Sequence, residues 1–187
     1  MARNYHHGDL RAALISASFE MLASCGLQKF SVAAVARRLG VSSAAPYRHF
    51  PDRPHLLSAV SAEAARDLGA LIAAAGSLPE AAGVYVRYVA RTGAGFHVIF
   101  AAELYDIADD HRREQTRALM DTLLGLAGGS SYWEDMLLVE ATIAVAHGYT
   151  SLFADGFFAR NASTVDDIAA RAVEAAKALS PGQALSR

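Results

Sequence analysis

The chain holds 187 residues at 19.8 kDa, 53% of them hydrophobic and 19% charged, which excludes a disordered chain and suits one large or two small helical domains. A single cysteine, Cys25, excludes an internal disulfide and a Cys-rich zinc module and fits a reducing compartment. The net charge of −2 hides an asymmetry: residues 1–60 carry seven basic and three acidic side chains, a balance of +4, and the remainder carry ten and sixteen, a balance of −6.

A basic head on an acidic body suits a protein that presents one end to a polyanion. The longest charge-free runs, Leu68–Pro79 and Ala141–Ala154, fall below the roughly 18 residues of a membrane span. The N-terminal MARNYHHGDLR reaches charge before any apolar stretch, so no secretion signal is read there, and a cytoplasmic protein with no membrane partner is expected.

The apolar spacing is three and four almost throughout and strand signals are nearly absent, so the fold class is all-α, with about nine helices. Asp9 is a plausible N-cap for a first helix whose stripe runs Leu10, Ala13, Leu14, Ala17, Met21 and Leu22, and Gly26 ends it. Ser31 caps a short second helix over Val32–Leu39, and Gly40 supplies the sharp exit. A third helix is predicted from Ser42 or Ser43 to Phe50, with Pro46 in its first turn and Tyr47 and Phe50 on its inner side. Asp52 caps a fourth, with Pro54 in its first turn and a stripe through Leu56, Leu57, Val60, Ala64, Leu68 and Leu71. Further helices follow at about 80 to 91, 95 to 105, 109 to 127, 132 to 154 and 165 to 178. The helix at 132 to 154 is apolar over most of its circumference and is expected to be buried on more than one side.

Two short helices joined by the turn Gly40-Val41-Ser42 are what a helix-turn-helix needs, with Ala36 small at the crossing and Leu39 and Val41 pinning the turn. Any helical hairpin shows this much, so spacing alone leaves DNA binding and plain packing both open. The residues YHHGDLRAALISASFEML and SVAAVARRLGVSSAAPYRHFPDRPHLLSAV resemble the N-terminal DNA-binding domain of the tetracycline-repressor (TetR) family of bacterial transcription regulators, over roughly residues 5 to 60. The turn followed by Tyr47, His49 and Phe50 is the specific part. Ala146-His147-Gly148, followed by Asp155-Gly156, resembles a degenerate Trp-His-Gly motif of one subgroup, with alanine in place of the tryptophan.

The resemblance implies a helix-turn-helix domain over 1–55 and an effector-binding, dimerising body over 56–187. Tyr47 and His49 stand where the family contacts phosphates; their other readings are core packing and a helix C-terminal interaction. Arg53 stands at a basic position facing the DNA backbone, or is a solvated arginine. Ser31 and Ser42 would turn helix N-termini toward phosphate, or simply cap. Base reading is expected from Ser43, Ala44, Ala45 and Arg48, the last suited to guanine O6 and N7. Arg3, His6 and His7 would form an arm into a groove.

For the body, the family implies a homodimer through the two C-terminal helices and an unknown small-molecule effector. Small residues there (Ala141, Ala144, Gly148, Ser151, Ala169, Ala172, Ala176) suit close helix approach, in a dimer or in an ordinary core. The expected effector pocket takes Tyr88, Phe96, Phe100, Glu103, Leu104, Met120, Leu124, Trp133, Met136 and His147. No metal-ligand spacing, nucleophile elbow or phosphate loop occurs, so no enzyme, cofactor or metal is expected. The reading is therefore a regulator, most simply a repressor, that binds a palindromic double-stranded DNA operator as a dimer and is released by a small apolar or amphipathic effector. The alternative is a helical small-molecule-binding dimer or adaptor without sequence-specific DNA binding.

Overall fold

The computed structural model describes residues 10–129, 131–159 and 164–179, and among them every regular element is helical. The proposed Asp9 cap and the Arg3, His6 and His7 arm lie outside the described residues.

Helix α1 (Leu10–Cys25) buries Leu14, Ile15, Ala17, Ser18, Met21 and Leu22, the stripe its spacing lays along one face. Gly26 at φ 72 breaks it, and a 3-10 turn, Leu27–Lys29, leads to α2 (Val32–Leu39). The Ser31 hydroxyl accepts from the Ala34 N–H at 3.2 Å, the N-cap expected from sequence. At the other end Gly40 is left-handed at φ 68, and the Val41 N–H donates back to the Ala36 carbonyl at 3.1 Å.

The third predicted helix is not formed as a regular α-helix. Its backbone bonds up to His49 run three residues back, Ala45 to Ser42, Arg48 to Ala45 and His49 to Pro46, and the regular part is a 3-10 turn over Pro46–Arg48. Pro46 has no N–H to give to Ser42, so an α-helical bond is missing where the second turn would begin.

Helix α3 (Arg53–Ala73) is capped by the Asp52 carboxylate on the His55 N–H at 2.9 Å, with Pro54 in its first turn. At 21 residues it is about 31 Å long and passes from the head into the body. The expected division at residue 55 falls in its first turn, so head and body share one helix and one core. Leu56, Leu57, Val60, Ala64, Leu68 and Ile72 are its buried stripe.

In the body, α4 (Leu78–Thr92) packs on α7 (Tyr132–Ala154) and α8 (Val165–Lys177), and α3 packs on α6 (Asp110–Ala127). Alpha-carbon close approach between α4 and α8 depends on Gly83, where a Cβ would stand 2.7 Å from Val173 Cγ2. The stretch predicted as one helix at 95 to 105 is split into α5 (Phe96–Ile99) and a 3-10 turn, Ala102–Leu104. Ile99 and Leu104 are fully buried, so the split lets two successive short elements each turn a side chain inward.

For the last helices one open alternative is narrowed and one expectation changes. Ala169, Ala172 and Ala176 are buried within the chain, on the face that α8 turns inward, so the small residues of α8 serve an internal contact. Helix α7 is not buried on more than one side: Val139, Thr142 and Ala146 form its buried line, while Trp133 is 79% and Leu137 67% exposed. Its 23 residues, with a window of mean hydropathy 1.3, also reach the length and apolarity of a membrane span, although Glu140 interrupts any charge-free run. It packs along α4 and α8 in this fold.

Candidate nucleic-acid interface

The segment after the Gly40 turn is anchored by two apolar groups. Pro46 and Phe50 are buried four residues apart, and the Phe50 N–H donates to the Pro46 carbonyl at 3.0 Å, which closes one helical turn at the inner face. Tyr47 follows Pro46 and is turned outward, 51% exposed, which corrects its placement beside Phe50 on the inner side and removes core packing as its role. Ser42, Ser43, Ala44, Arg48 and His49 are exposed with it, and Ala45 is half-buried. Arg48 makes no ion pair or side-chain hydrogen bond with another described residue.

The surrounding cations are engaged to different degrees. Arg38 pairs with Glu20 at 2.7 Å, Arg11 stacks over the Phe50 ring at 5.3 Å from its centroid, and Lys29 and Arg37 are exposed. Asp52 accepts from both the backbone N–H and the ring of His55, which holds its carboxyl below the usual carboxylate range. Ser31 is half-buried with its hydroxyl committed to the cap, and Ser42 accepts through its carbonyl from the Ala45 N–H.

Arg53 is placed differently from a phosphate-facing arginine. Its Nε donates to the Phe30 carbonyl at 3.2 Å and its Nη2 to the Leu27 carbonyl at 3.1 Å, while Nη1 pairs with Glu103. The guanidinium also lies over the Phe30 ring, 5.6 Å from its centroid. Sequence reasoning gave Arg53 to the DNA face and Glu103 to the effector pocket; the fold brings these two together.

The ten expected pocket residues do not gather around one cavity. Trp133 is solvent-exposed on α7, fourteen residues before His147 and so about 21 Å from it along the helix. Tyr88 is buried, with its hydroxyl donating to the Ala64 carbonyl at 3.3 Å, and Leu104 is core. Met120, Leu124, Phe96 and Phe100 pack partly buried against the core, and Met136 is half-buried. His147 alone of the ten opens on a cleft of about 390 Å³, whose walls include Ala23 of α1, Val86, Val89 and Gly93 of α4, His97, and Phe153 of α7.

Sequence reasoning missed how that cleft is organised. The Tyr85 hydroxyl accepts from the Phe96 N–H at 3.1 Å and is hydrogen-bonded to His147 Nδ1 at 2.9 Å, donating to it in the tautomer that carries its hydrogen on Nε2. Burial pushes the Tyr85 phenol up to about 12, so this donor stays protonated. His97 stands with its ring 5.6 Å from that of His147; burial, and then that neighbour, push its pKa down against a hydrogen bond to Gly93. The spacing of single histidines on two helices gives no sequence signal for such a pairing. Among the described residues no three His, Cys, Asp or Glu side chains gather as a metal site would require.

Residues 14–60 match the profile of bacterial regulatory proteins of the tetR family. No curated protein matches the chain. Solved structures do. A Rhodococcus sp. RHA1 protein of unknown function is 24% identical with a TM-score of 0.69, covering 95% of this chain and 99% of that one. A tetR-family bacterial regulatory protein from Rhodococcus RHA1 is 23% identical with a TM-score of 0.61, covering 92% and 97%. The multidrug binding protein EbrR, complexed with imidazole, is 19% identical with a TM-score of 0.55, covering 93% and 96%. These likenesses carry the fold, and the profile carries the head. Residues 14–60 thus carry the helix-turn-helix DNA-binding domain of the tetR family of bacterial regulatory proteins, set on an all-helical body whose fold is shared with solved regulators of that family.

Proposed function

We propose that the chain is a homodimeric repressor whose two heads, residues 1–55 of each copy, read a palindromic operator and release it when a small apolar or amphipathic effector enters the body. The observation that carries this reading is the outward row Ser42, Ser43, Ala44, Tyr47, Arg48 and His49 above the buried Pro46 and Phe50, at the basic end of the chain. Arg48 is the base reader, through guanine O6 and N7, with Ser43, Ala44 and Ala45 beside it. Tyr47 and His49 hold phosphates, and the capped N-terminus of α2 at Ser31 adds peptide N–H groups. Arg53 takes no direct part, because its guanidinium is spent on acceptors within the chain.

Dimerisation is assigned to α7. Trp133, Leu137, Ala144 and Ser151 lie four or seven residues apart along one exposed line, which a second copy would cover. Heads joined this way would enter successive major grooves about 34 to 36 Å apart. The effector is assigned to the cleft at His97 and His147, whose apolar walls and two imidazoles suit an apolar molecule with one or two hydrogen-bonding atoms. The fold shared with a multidrug binding protein that holds imidazole is in keeping with such a ligand. An effector that fits better when the heads are wrongly spaced would lower the operator-binding population.

Duplexes recovered by the wild-type protein from a random library, and scrambled versions of them, test the residue roles. Tyr47→Phe should weaken both kinds alike. Arg48→Ala should cut the ratio between them by about tenfold, the worth of one bidentate base contact. Equal weakening of both by Arg48→Ala would remove it as the reader.

A further inference from the structure

We infer that the Arg53–Glu103 pair is the joint that fixes the angle of the head on the body, and that Glu103 is thereby a positioning residue for DNA binding although it touches no DNA. The guanidinium meets three parts of the chain at once. Two of its acceptors, the carbonyls of Leu27 and Phe30, flank the turn that leads into α2, and the third is the Glu103 carboxylate in the body. Arg53 is itself the first residue of α3. Its side chain is 32% exposed and that of Glu103 33%, so the pair sits at a boundary where it can open without unfolding a core.

The mount on the body side is rigid. The Ser61 hydroxyl donates to the Ile99 carbonyl at 2.8 Å, and Arg112 Nη2 donates to the Leu104 carbonyl at 2.8 Å, so the turn carrying Glu103 is fixed on both sides. The head is also tied to the body through the shared helix α3 and where Gly93, at the end of α4, lies against the Leu22 and Ala23 backbone of α1. Among these ties the Arg53–Glu103 pair is a partly exposed polar one, so it can open while the buried contacts stay closed.

The same turn is tied to the cleft. Phe96, at the start of α5, gives its N–H to Tyr85, and Tyr85 holds His147 in the cleft wall. A ligand that moves His147 or Tyr85 therefore bears on the segment that presents Glu103. This second step rests on the effector reading above; the joint itself does not.

The test reads head-to-body distance directly. Spin labels go on Ala33→Cys in α2 and Arg117→Cys in α6, both exposed, in a Cys25→Ser background diluted with unlabelled protein. Glu103→Gln should widen the distance distribution, leave the thermal midpoint in place, and weaken binding to the recovered duplexes about fivefold or more. Arg53→Lys, which keeps the charge but cannot serve three acceptors, should widen it as well. Asp106→Asn removes a nearby exposed carboxylate and should do neither, which separates the joint from a change in charge alone. Distributions for Glu103→Gln and Arg53→Lys that superimpose on the parent would overturn the joint. A wild-type protein that recovers no duplex would sink the DNA reading instead, and the distances would still decide the joint.

Discussion

His97 shows how one side chain records its surroundings. Burial and the neighbouring His147 favour its neutral form, so its pKa in the folded chain lies below that in the unfolded one. The stability this contributes is complete above the unfolded value of about 6.5 and is lost as pH falls through the lower, folded value. Urea unfolding at about pH 7.5 and about pH 5.5 should therefore show a larger acid loss for the wild type than for His97→Gln. Equal losses would mean that His97 is solvated as freely in the folded chain as in the unfolded one. Arg53 teaches the complementary lesson. Its type and position suit a phosphate contact, but the acceptors that claim it, the Leu27 and Phe30 carbonyls and Glu103, come from segments up to 50 residues away and cannot be read from its own neighbourhood.

Among the helices, those with strong end signals were legible before folding. Ser31 with Gly40 bounded α2, and Asp52 with Pro54 started α3, because each supplies a hydrogen bond or a backbone conformation that few other residues offer. The segment at 42 to 50 was read as a helix because its apolar spacing is helical; the missing N–H of Pro46 decides otherwise. Two glycines separate backbone strain from close approach. Gly93 has φ +65, and a Cβ on it would stand 2.4 Å from Leu22 and Ala23 backbone atoms, whereas Gly128 has φ +61 and open space. Gly128→Ala should cost about 1 to 2 kcal/mol, the strain alone. Gly93→Ala should cost more than about 3 kcal/mol, because α1 and α4 must also part. Equal losses in chemical denaturation would remove the close contact from the account.

Taken together, the chain is a small basic reader carried on a larger acidic frame, and four of the frame's exposed large apolar side chains, Tyr132, Trp133, Leu137 and Leu152, lie on α7. The sequence pattern identified α7 as apolar over most of its circumference, but not which side its own chain would cover. That depends on α4 and α8, and Ala169, Ala172 and Ala176 of α8 face inward. The pocket was illegible for the same reason: aromatic residues on several helices look alike until packing separates Phe96, stacked on Tyr85, from Trp133 at the surface. If α7 seats a second copy as proposed, Leu137→Glu should sediment as a folded monomer where the wild type sediments as a dimer, since Leu137 is 67% exposed in the single chain and its loss leaves the core intact. Helical content lost together with the dimer would instead place Leu137 in the fold of the chain.

The most direct test of the DNA-reading account is anisotropy titration of the wild-type protein against a labelled duplex recovered from a random library, with excess random competitor, at two salt concentrations. The account predicts saturation at an even number of chains per duplex, survival of competitor, and a steep loss of affinity with added salt. Binding that an equal mass of competitor removes, with no sequence enriched from the library, would contradict it.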